Sequence, residues 1–219
     1  TAAGPIEADA VVCTSHVWTR ALFRRRGRDL PLKHFVHQRF VTPPQEPAPQ
    51  LPAVNAHPYG GYLRPALGDR LLVGVEAAHL PEHPVPDFGF RMSSLEIAQD
   101  TRRRASQVLP LVPHAGAADW QGERIGLLCF SADGEPLLGP VADVPGLFVG
   151  TAFHSGGFAY SPAAGQLLAE LVSDGSPSID LSAFSPDRFE VDEVDHFLST
   201  EVTHAQYSDS IPAYVPRKF

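Results

Sequence analysis

The order of apolar and polar positions divides the sequence into an outer part, which comprises two segments far apart in the chain, and an inner part that lies between them in the sequence. Residues 8–13 read ADAVVC and residues 147–152 read LFVGTA. Short, continuous apolar runs of this kind are typical of strands buried on both faces of a parallel sheet. Between them, residues 30–42 alternate well enough to predict a long strand with an exposed face, and residues 124–130 predict a further strand.

Turn signals separate further elements of the inner part. Five prolines in residues 43–52 predict a loop. Gly68 and Asp69 predict the turn of a hairpin whose strands cover residues 61–65 and 70–76.

Three segments carry a helical pattern, and the last of them follows a glycine-rich stretch. Helices are predicted at residues 18–26, 93–108 and 158–172, with the last one ending near Gly175. From Glu190 onward the sequence turns acidic and then irregular. Parallel-type strands at both ends therefore enclose antiparallel-looking strands, which predicts an α+β insert within an α/β layer.

The composition of the chain narrows the classes of molecule that it could bind and the compartment in which it could fold. The chain of 219 residues has a formal net charge of -8 and only two lysines, which argues against nucleic acid as a partner. Cys13 and Cys129 lie in apolar runs, which predicts buried free thiols in a reducing compartment. No apolar run reaches the length of a membrane span, and the first residues lack the pattern of a signal peptide. We therefore expect a soluble, cytoplasmic protein without a membrane partner.

The strongest local signal is residues 146–165, GLFVGTAFHSGGFAYSPAAG. An apolar strand runs into a glycine-rich turn and then into a helix, whose first amide groups have no partner inside the helix. Such a helix start can bind an anion or a polar ring. Tight packing of the turn is the alternative interpretation of the same glycines.

Several motifs occur around this segment in a fixed order. Residues 126–140 read GLLCFSADGEPLLGP, and VPGLFV follows at 144–149. The helix ends in Leu-Ala-Glu at 168–170, residues 182–189 close with Arg-Phe, and residues 8–18 form an early strand. Together, these motifs resemble the C-terminal half of the FAD-dependent amine and amino-acid oxidoreductases of the D-amino-acid oxidase, glycine oxidase and sarcosine oxidase superfamily.

The resemblance implies part of a two-domain flavoenzyme. An antiparallel-sheet substrate domain would be inserted between the last strands and the helix of a Rossmann-like FAD domain. Residues 1–27 would be the return strand and helix of the FAD domain, and residues 28–125 the substrate domain. Residues 126–189 would complete the FAD domain, and residues 190–219 would be a C-terminal extension that reaches over a partner chain.

The resemblance also implies a function, the oxidation of a C–N bond in a small amine or amino-acid-like substrate with hydride transfer to FAD. Two groups of residues would contact the cofactor, one after the first strand and one in the glycine-rich turn. They are Thr14, Ser15, Phe153, Ser155, Gly156, Gly157, Phe158 and Ala159. Tyr62, Arg64 and His154 would line the substrate cavity as candidate catalytic residues. An ordinary strand position for Tyr62 and Arg64, and a structural role for His154, are the alternatives.

Three cations that the family often carries are missing. Leu128 stands where an arginine binds a substrate carboxylate, Ala159 where one branch has a lysine, and Leu72 where that branch has an oxygen-activating lysine. Either another residue such as Arg64 takes over, or the substrate is not a simple amino acid, or the electron acceptor is not oxygen. His16 replaces a small residue near the cofactor, which predicts displaced or altered flavin contacts.

The dinucleotide-binding motif is absent from the sequence. No two of the 18 glycines are spaced i, i+2, so GxGxxG cannot occur. The resemblance places that motif upstream of Thr1, and we expect an N-terminal partner chain that carries it, produced by cleavage or by a separate gene.

Two rival functions remain open at this stage. The first is an N-terminal-nucleophile hydrolase in which Thr1 attacks and its own amine acts as base, although TAAGP reads as a loop. The second is a non-catalytic flavoprotein subunit. A metal site is not predicted, because His34 and His37 fall on opposite faces of one strand and His79 and His83 lie in a proline-rich loop.

Overall fold

The structure is a computed structural model that describes residues 4–55, 61–76, 80–95 and 121–210. Eight strands form two sheets. Their bounds are β1 Val11–Cys13, β2 Leu32–Val41, β3 Val54–Asn55, β4 Gly61–Ala66, β5 Arg70–Glu76, β6 Gln121–Ser131, β7 Leu137–Pro140 and β8 Leu147–Thr151. Four α-helices are described, namely α1 Thr19–Arg24, α2 Gly157–Ser173, α3 Val191–Ser199 and α4 His204–Ser210. Among the residues so described, no helix has the length and apolar character to cross a membrane.

The first and last parts of the chain share the smaller sheet. Its order is β1-β8-β7, with β1 parallel to β8 and β7 antiparallel to it. Residues 147–152 and 8–13 were predicted as parallel-type strands, and the pairing confirms this. Within the part of the chain that the structure describes, β1 is an edge strand, and its Val11 and Val12 are 53% and 43% exposed.

The five-stranded sheet comes between these elements in the sequence, and its order is β3-β4-β5-β2-β6. All of its pairings are antiparallel. The predicted hairpin of β4 and β5 is confirmed, and both Gly68 and Asp69 in its turn have positive φ. The order β5-β2-β6 brings distant segments side by side, so residues of β2 lie beside both residue 75 and residue 125.

The two sheets share one core. Side chains of β1, β8 and the segment before α1 pack with Leu32, Leu127 and Cys129 of the larger sheet. A second apolar cluster lies under α2, where Leu167, Leu168 and Leu171 are buried. Cys13 and Cys129 are buried free thiols, as predicted, and burial raises the pKa of Cys129 to about 12.

The prediction of an exposed face along β2 is wrong for its first half. Lys33 and His34 point to opposite faces, yet each is only 1% exposed. The Lys33 ammonium group forms an ion pair with Glu82 and donates to the carbonyl oxygen of Thr200. The C-terminal segment thus covers the face on which Lys33 lies.

Residues after Glu190 were predicted to be irregular, but they form α3 and α4. The backbone N–H of Glu190 donates to the carboxylate of Glu193 at 3.0 Å, which closes the first turn of α3. The hydroxyl of Tyr207 on α4 donates to the carbonyl oxygen of Ser131, and its ring stacks on Phe35. This part of the extension packs on its own chain. Its relation to a partner chain stays a prediction.

The predicted helix at residues 93–108 lies mostly outside the described residues. Its first described residues do not begin an α-helix, because Met92–Ser94 form a 3-10 turn and Leu95 is extended. Thr1, the nucleophile of the rival hydrolase reading, also lies outside the described residues.

The buried ring of His34 generates a prediction about stability and pH. Neither ring nitrogen has a hydrogen-bond partner among the described residues, and burial lowers its pKa from 6.5 to about 3 with smaller contributions from Arg20, His16 and His83. The unfolded chain therefore binds a proton below pH 6.5 that the folded chain does not. We expect this residue alone to reduce the free energy of unfolding by about 1.4 kcal/mol per pH unit below that point.

Urea denaturation at pH 7, 6 and 5 measures this slope. His34→Phe should flatten the slope by roughly one proton, whereas His196→Gln, on the exposed side of α3, should leave it as in the wild type. An unchanged slope in the His34 variant would contradict the assignment.

Candidate functional site

The segment between β8 and α2 is a tight turn with an unusual backbone. Ala152 and His154 both have positive φ, 61° and 42°, in a region that L side chains rarely adopt. Gly156 donates its N–H to the carbonyl oxygen of Phe153 at 2.8 Å, and α2 begins at the next residue. Strained non-glycine residues persist where the surroundings fix them, and such positions are common at functional sites.

Hydrogen bonds from two other elements fix this turn. The N–H of His154 donates to the carbonyl oxygen of Cys129 on β6 at 3.2 Å. The hydroxyl of Thr151 donates to the carbonyl oxygen of His16 at 3.3 Å, and Nε2 of His16 donates to the carbonyl oxygen of Leu127 at 2.9 Å. His16 was expected to alter the flavin contacts. Its ring hydrogen-bonds to β6 and links β6 to the turn, and its effect on the flavin contacts stays a prediction.

The start of α2 offers unpaired backbone donors. Gly156 caps the helix without a side-chain hydrogen bond, and the first intrahelical bond from this turn is Tyr160 N–H to the Gly156 carbonyl oxygen at 3.0 Å. The amides of residues 157–159 therefore have no intrahelical acceptor. Phe158 is 96% exposed and Ser155 is also exposed, so this helix start lies open at the surface.

A cavity of about 240 Å³ lies beside the turn, between the end of β1 and the first half of α2. It is lined by glycines, by small side chains and by three larger ones, His16, Phe153 and Leu168. The lining residues are Thr14, His16, Gly150, Thr151, Phe153, Gly157, Ser161, Ala164, Gly165 and Leu168. A Cβ at Gly150 would lie 3.1 Å from Leu168 Cδ1, so this wall is already close-packed behind the glycine.

The structure brings three of the predicted cofactor residues, Thr14, Phe153 and Gly157, to this cavity. The other residues of the glycine-rich turn, from Ser155 to Ala159, lie at the adjacent start of α2. Ser15 differs from them, since its hydroxyl contacts Cys13 Sγ at 3.5 Å and it does not line the cavity. A cleft lined by three glycines, beside amides that have no intrahelical acceptor, fits the polar edge of a flat ring, so the residues present fit part of an FAD site.

A second set of candidates lies on one face of the five-stranded sheet, which we call the outer face. Side chains alternate between the two faces of each strand, so the register decides which residues of β2, β4, β5 and β6 share this face. Its members include Lys33, Phe35, His37, Arg39, Tyr62, Arg64, Gly74, Arg124, Gly126, Leu128 and Phe130. The α3 and α4 segments cover Lys33, Phe35 and Phe130 at one end of this face.

The part of the outer face that α3 and α4 do not cover carries a histidine and tyrosine pair. A hydrogen bond of 3.3 Å joins Nε2 of His37 to the hydroxyl of Tyr62, and the two rings are parallel with centroids 6.0 Å apart. Tyr62 reaches His37 by lying across Gly74, whose missing side chain leaves the space that the ring occupies. The sequence pattern pointed to Tyr62 but not to His37 as a candidate.

His154 connects the turn to the outer face. Its ring stacks on Phe130 with centroids 5.8 Å apart and an angle of 18° between the planes. Burial lowers the pKa of His154, although the nearby Glu135 acts in the opposite direction. His154 therefore favours the neutral form more than an exposed histidine does.

The structure does not bring Arg64 to the same place. Arg64 is exposed and donates to the carbonyl oxygen of the adjacent Pro65 at 3.0 Å. Tyr62 lies two residues away on the same strand and turns instead toward His37. Within the described residues, no group of three or more histidine, cysteine, aspartate or glutamate side chains is arranged to hold a metal ion.

The chain is similar in sequence to a known protein family and to several characterised proteins. The family model described as "FAD dependent oxidoreductase" (DAO) matches residues 1–171. The chain is 29% identical over 218 residues to human mitochondrial sarcosine dehydrogenase, covering 97% of this chain and 23% of that protein. It is 31% identical over 185 residues to the glycine oxidase of Geobacillus kaustophilus, covering 84% of this chain and 46% of that protein.

The crystal structure of the Geobacillus glycine oxidase is similar in fold as well. The TM-score is 0.67 at 25% identity, over 86% of this chain and 48% of that one. The chain thus spans about a quarter to a half of the length of these relatives.

Gly74 gives a direct test of the His37 and Tyr62 geometry. A Cβ at position 74 would lie 2.0 to 2.4 Å from atoms of the Tyr62 ring, so Gly74→Ala must displace the ring and break its hydrogen bond to His37. We expect a loss of about 1–3 kcal/mol in the free energy of unfolding.

Gly126→Ala is the matched control, because a Cβ there meets no atom within 4 Å. It should change stability by less than about 1 kcal/mol. Thermal or urea unfolding measures both variants, and equal stability of the two would show that Tyr62 does not occupy the space over Gly74.

Proposed function

Because the chain belongs to the DAO family of FAD-dependent oxidoreductases, we propose that it is the C-terminal part of an enzyme that oxidises the C–N bond of an amine or amino-acid-like substrate. One observation carries this proposal. The stacking of His154 on Phe130 places the glycine-rich turn against the same face that presents His37 and Tyr62, and the register puts His37 four residues along β2 from Lys33, the partner of Phe130. A cofactor held at the turn and a substrate held on this face would therefore lie on the same side of the sheet.

The proposed cofactor site combines the cavity with the start of α2. Thr14, Phe153 and Gly157 line the cavity, and the amides of residues 157–159 have no intrahelical acceptor. The positive end of a 17-residue helix stabilises negative charge placed there, without the need for a lysine. Bound FAD supplies the acceptor for a hydride from the carbon next to the substrate nitrogen.

His37 and Tyr62 are proposed to act on the substrate nitrogen. An ammonium group holds its lone pair in an N–H bond, so a proton must leave before the neighbouring carbon can give up hydride. Nε2 of His37 can accept that proton, and the Tyr62 hydroxyl, at 3.3 Å, can orient the ring and hydrogen-bond the nitrogen. The stacked geometry limits the rotation of both rings, which keeps these two polar atoms in place.

His154 is proposed to orient rather than to transfer protons. Phe130 on one side and Tyr160 on the other contact its ring, with centroids 5.8 and 6.2 Å away. Its lowered pKa favours an uncharged ring beside the turn.

Human sarcosine dehydrogenase and the bacterial glycine oxidase act on small amino acids, as their names state. A small amine or amino acid is accordingly the substrate class that we propose.

A further polypeptide segment is proposed to supply the dinucleotide-binding unit. The chain has no GxGxxG, and the edge of β1 is open, with half-exposed Val11 and Val12. Parallel strands are normally covered on both faces and seldom end at an apolar edge. The exposed Phe158 at the start of α2 lies at the same end of the small sheet as the cavity. Added strands that carry the motif would cover these groups.

Flavin content tests the proposal directly. The complete protein, containing this chain and the segment with the GxGxxG motif, should be yellow and should release about one FAD per copy on denaturation. Absorbance spectra and chromatography of the released cofactor measure this. The isolated 219 residues should bind no FAD, because they hold only part of the site. A flavin-free preparation of the complete protein would overturn the proposal.

The roles of His37 and Tyr62 are tested by anaerobic flavin reduction. Tyr62→Phe keeps the ring over Gly74 and removes only the hydroxyl, and His37→Asn removes the proton acceptor. We expect each variant to slow reduction by about 100-fold or more at neutral pH. His196→Asn on the exposed side of α3 is the control and should reduce at the wild-type rate. Wild-type rates in both site variants would exclude the proposed roles.

A further inference from the structure

Three parts of the chain meet at the ring of Phe130, which lies near the end of β6 on the outer face. The ring stacks on His154 of the glycine-rich turn, with centroids 5.8 Å apart. His204 and Tyr207 of α4 contact the same ring, with centroids at 5.2 and 5.7 Å. Close-packed rings of this kind cannot shift without displacing their neighbours. The position of the His154 ring is therefore coupled to the position of α4.

α4 is itself fixed to the sheet. The hydroxyl of Tyr207 donates to the carbonyl oxygen of Ser131, the residue that follows Phe130, and Tyr207 is only 3% exposed. Two backbone hydrogen bonds join residues 202–204 to residues 80–82. Buried side chains and paired backbone groups together give α4 a defined place on the outer face. α4 can therefore act as a support for the ring of Phe130.

The glycine-rich turn needs support from outside itself. His154 adopts a φ of 42°, which an L-residue keeps only where its surroundings fix it. Its ring contacts Tyr160, which belongs to α2 and so moves with the turn, and Phe130, which belongs to the sheet. Phe130 thus ties the His154 side chain to the sheet. Because the turn leads directly into α2, its conformation decides where the amides of residues 157–159 point.

We propose that His204 and Tyr207 are positioning residues for the cofactor, because they hold Phe130 against His154 and so fix the turn whose amides would face the flavin. This role rests on the proposed function and deepens it. α4 begins at residue 204, whereas the family model matches residues 1–171, so the family match alone does not predict this support. Without the support the amides at the start of α2 are less well aligned. Reduced flavin, which carries more negative charge than oxidised flavin, then loses more stabilisation.

The reduction potential of the bound flavin tests this role in the complete flavin-containing protein. Tyr207→Leu and His204→Leu each keep an apolar side chain but remove a ring from the contact with Phe130. We expect each variant to weaken the preference of the protein for reduced over oxidised flavin by about 3- to 10-fold. For a two-electron couple this lowers the potential by about 15–30 mV. Equilibration with a redox dye measures the potential without substrate or turnover.

Two further variants show whether the ring contact is the cause. His204→Phe restores a ring beside Phe130 and should keep the wild-type potential. Phe40→Leu is the matched control for a general loss of stability, because Phe40 is fully buried on the opposite face of β2, near the end of that strand. It should lower the melting temperature, as the leucine variants of α4 do, but leave the potential unchanged.

Hydrogen exchange gives a second readout that does not depend on the potential. In the leucine variants of α4, the amide groups of residues 153–158 should exchange about 3- to 10-fold faster than in the wild type. Those of residues 71–75 in β5 should exchange at the wild-type rate.

The outcomes separate this role from the proposed function. If the leucine variants melt cooperatively but keep the wild-type potential and exchange rates, α4 does not support the turn and the proposed function stands. An equal change in Phe40→Leu or in His204→Phe also overturns the role, because the ring contact with Phe130 is then not the cause. If Tyr207→Leu does not fold, the two His204 variants decide. If the complete wild-type protein holds no flavin, the proposed function fails and this role fails with it.

Discussion

The antiparallel pairing of β2 with β6 and β5 is the constraint on which the other features depend. Side chains alternate between the faces of a strand, so the register decides which residues share a face. In the observed register, even-numbered residues of β2 such as Leu32 pack toward the shared core, and odd-numbered residues such as His37 reach the outer face. A slip by one residue would bury the polar side chains of the outer face and expose the apolar ones, so the core and the candidate site are specified by the same hydrogen bonds.

The C-terminal segment covers one end of the outer face. His204 and Tyr207 on α4 pack against Phe35 and Phe130, and burial lowers the pKa of His204 and raises that of Tyr207. Phe130 also contacts His154, so one aromatic cluster joins the end of the chain to the glycine-rich turn. The extension thus bounds, on one side, the part of the outer face where His37 and Tyr62 lie.

Much of the local structure was predictable from the sequence, because its signals are local. Continuous apolar runs indicated β1 and β8, Gly68 and Asp69 indicated a hairpin turn, and glycines before an apolar periodic segment indicated the start of α2. The partnership of His37 with Tyr62 was not predictable in this way, because it depends on the sheet order β4-β5-β2 and on the space above Gly74. The family resemblance supplied the cofactor, but it pointed to Arg64, whose guanidinium turns back to its own strand.

The open edge of β1 has a consequence for how the protein must be made. An uncovered strand with apolar side chains is a template for pairing with any other extended chain, including unfolded copies of the same polypeptide. Natural proteins usually protect such edges with charges, prolines or bulges, and β1 consists of two valines and a cysteine. Expression of this chain without strands to cover that edge should therefore favour aggregation.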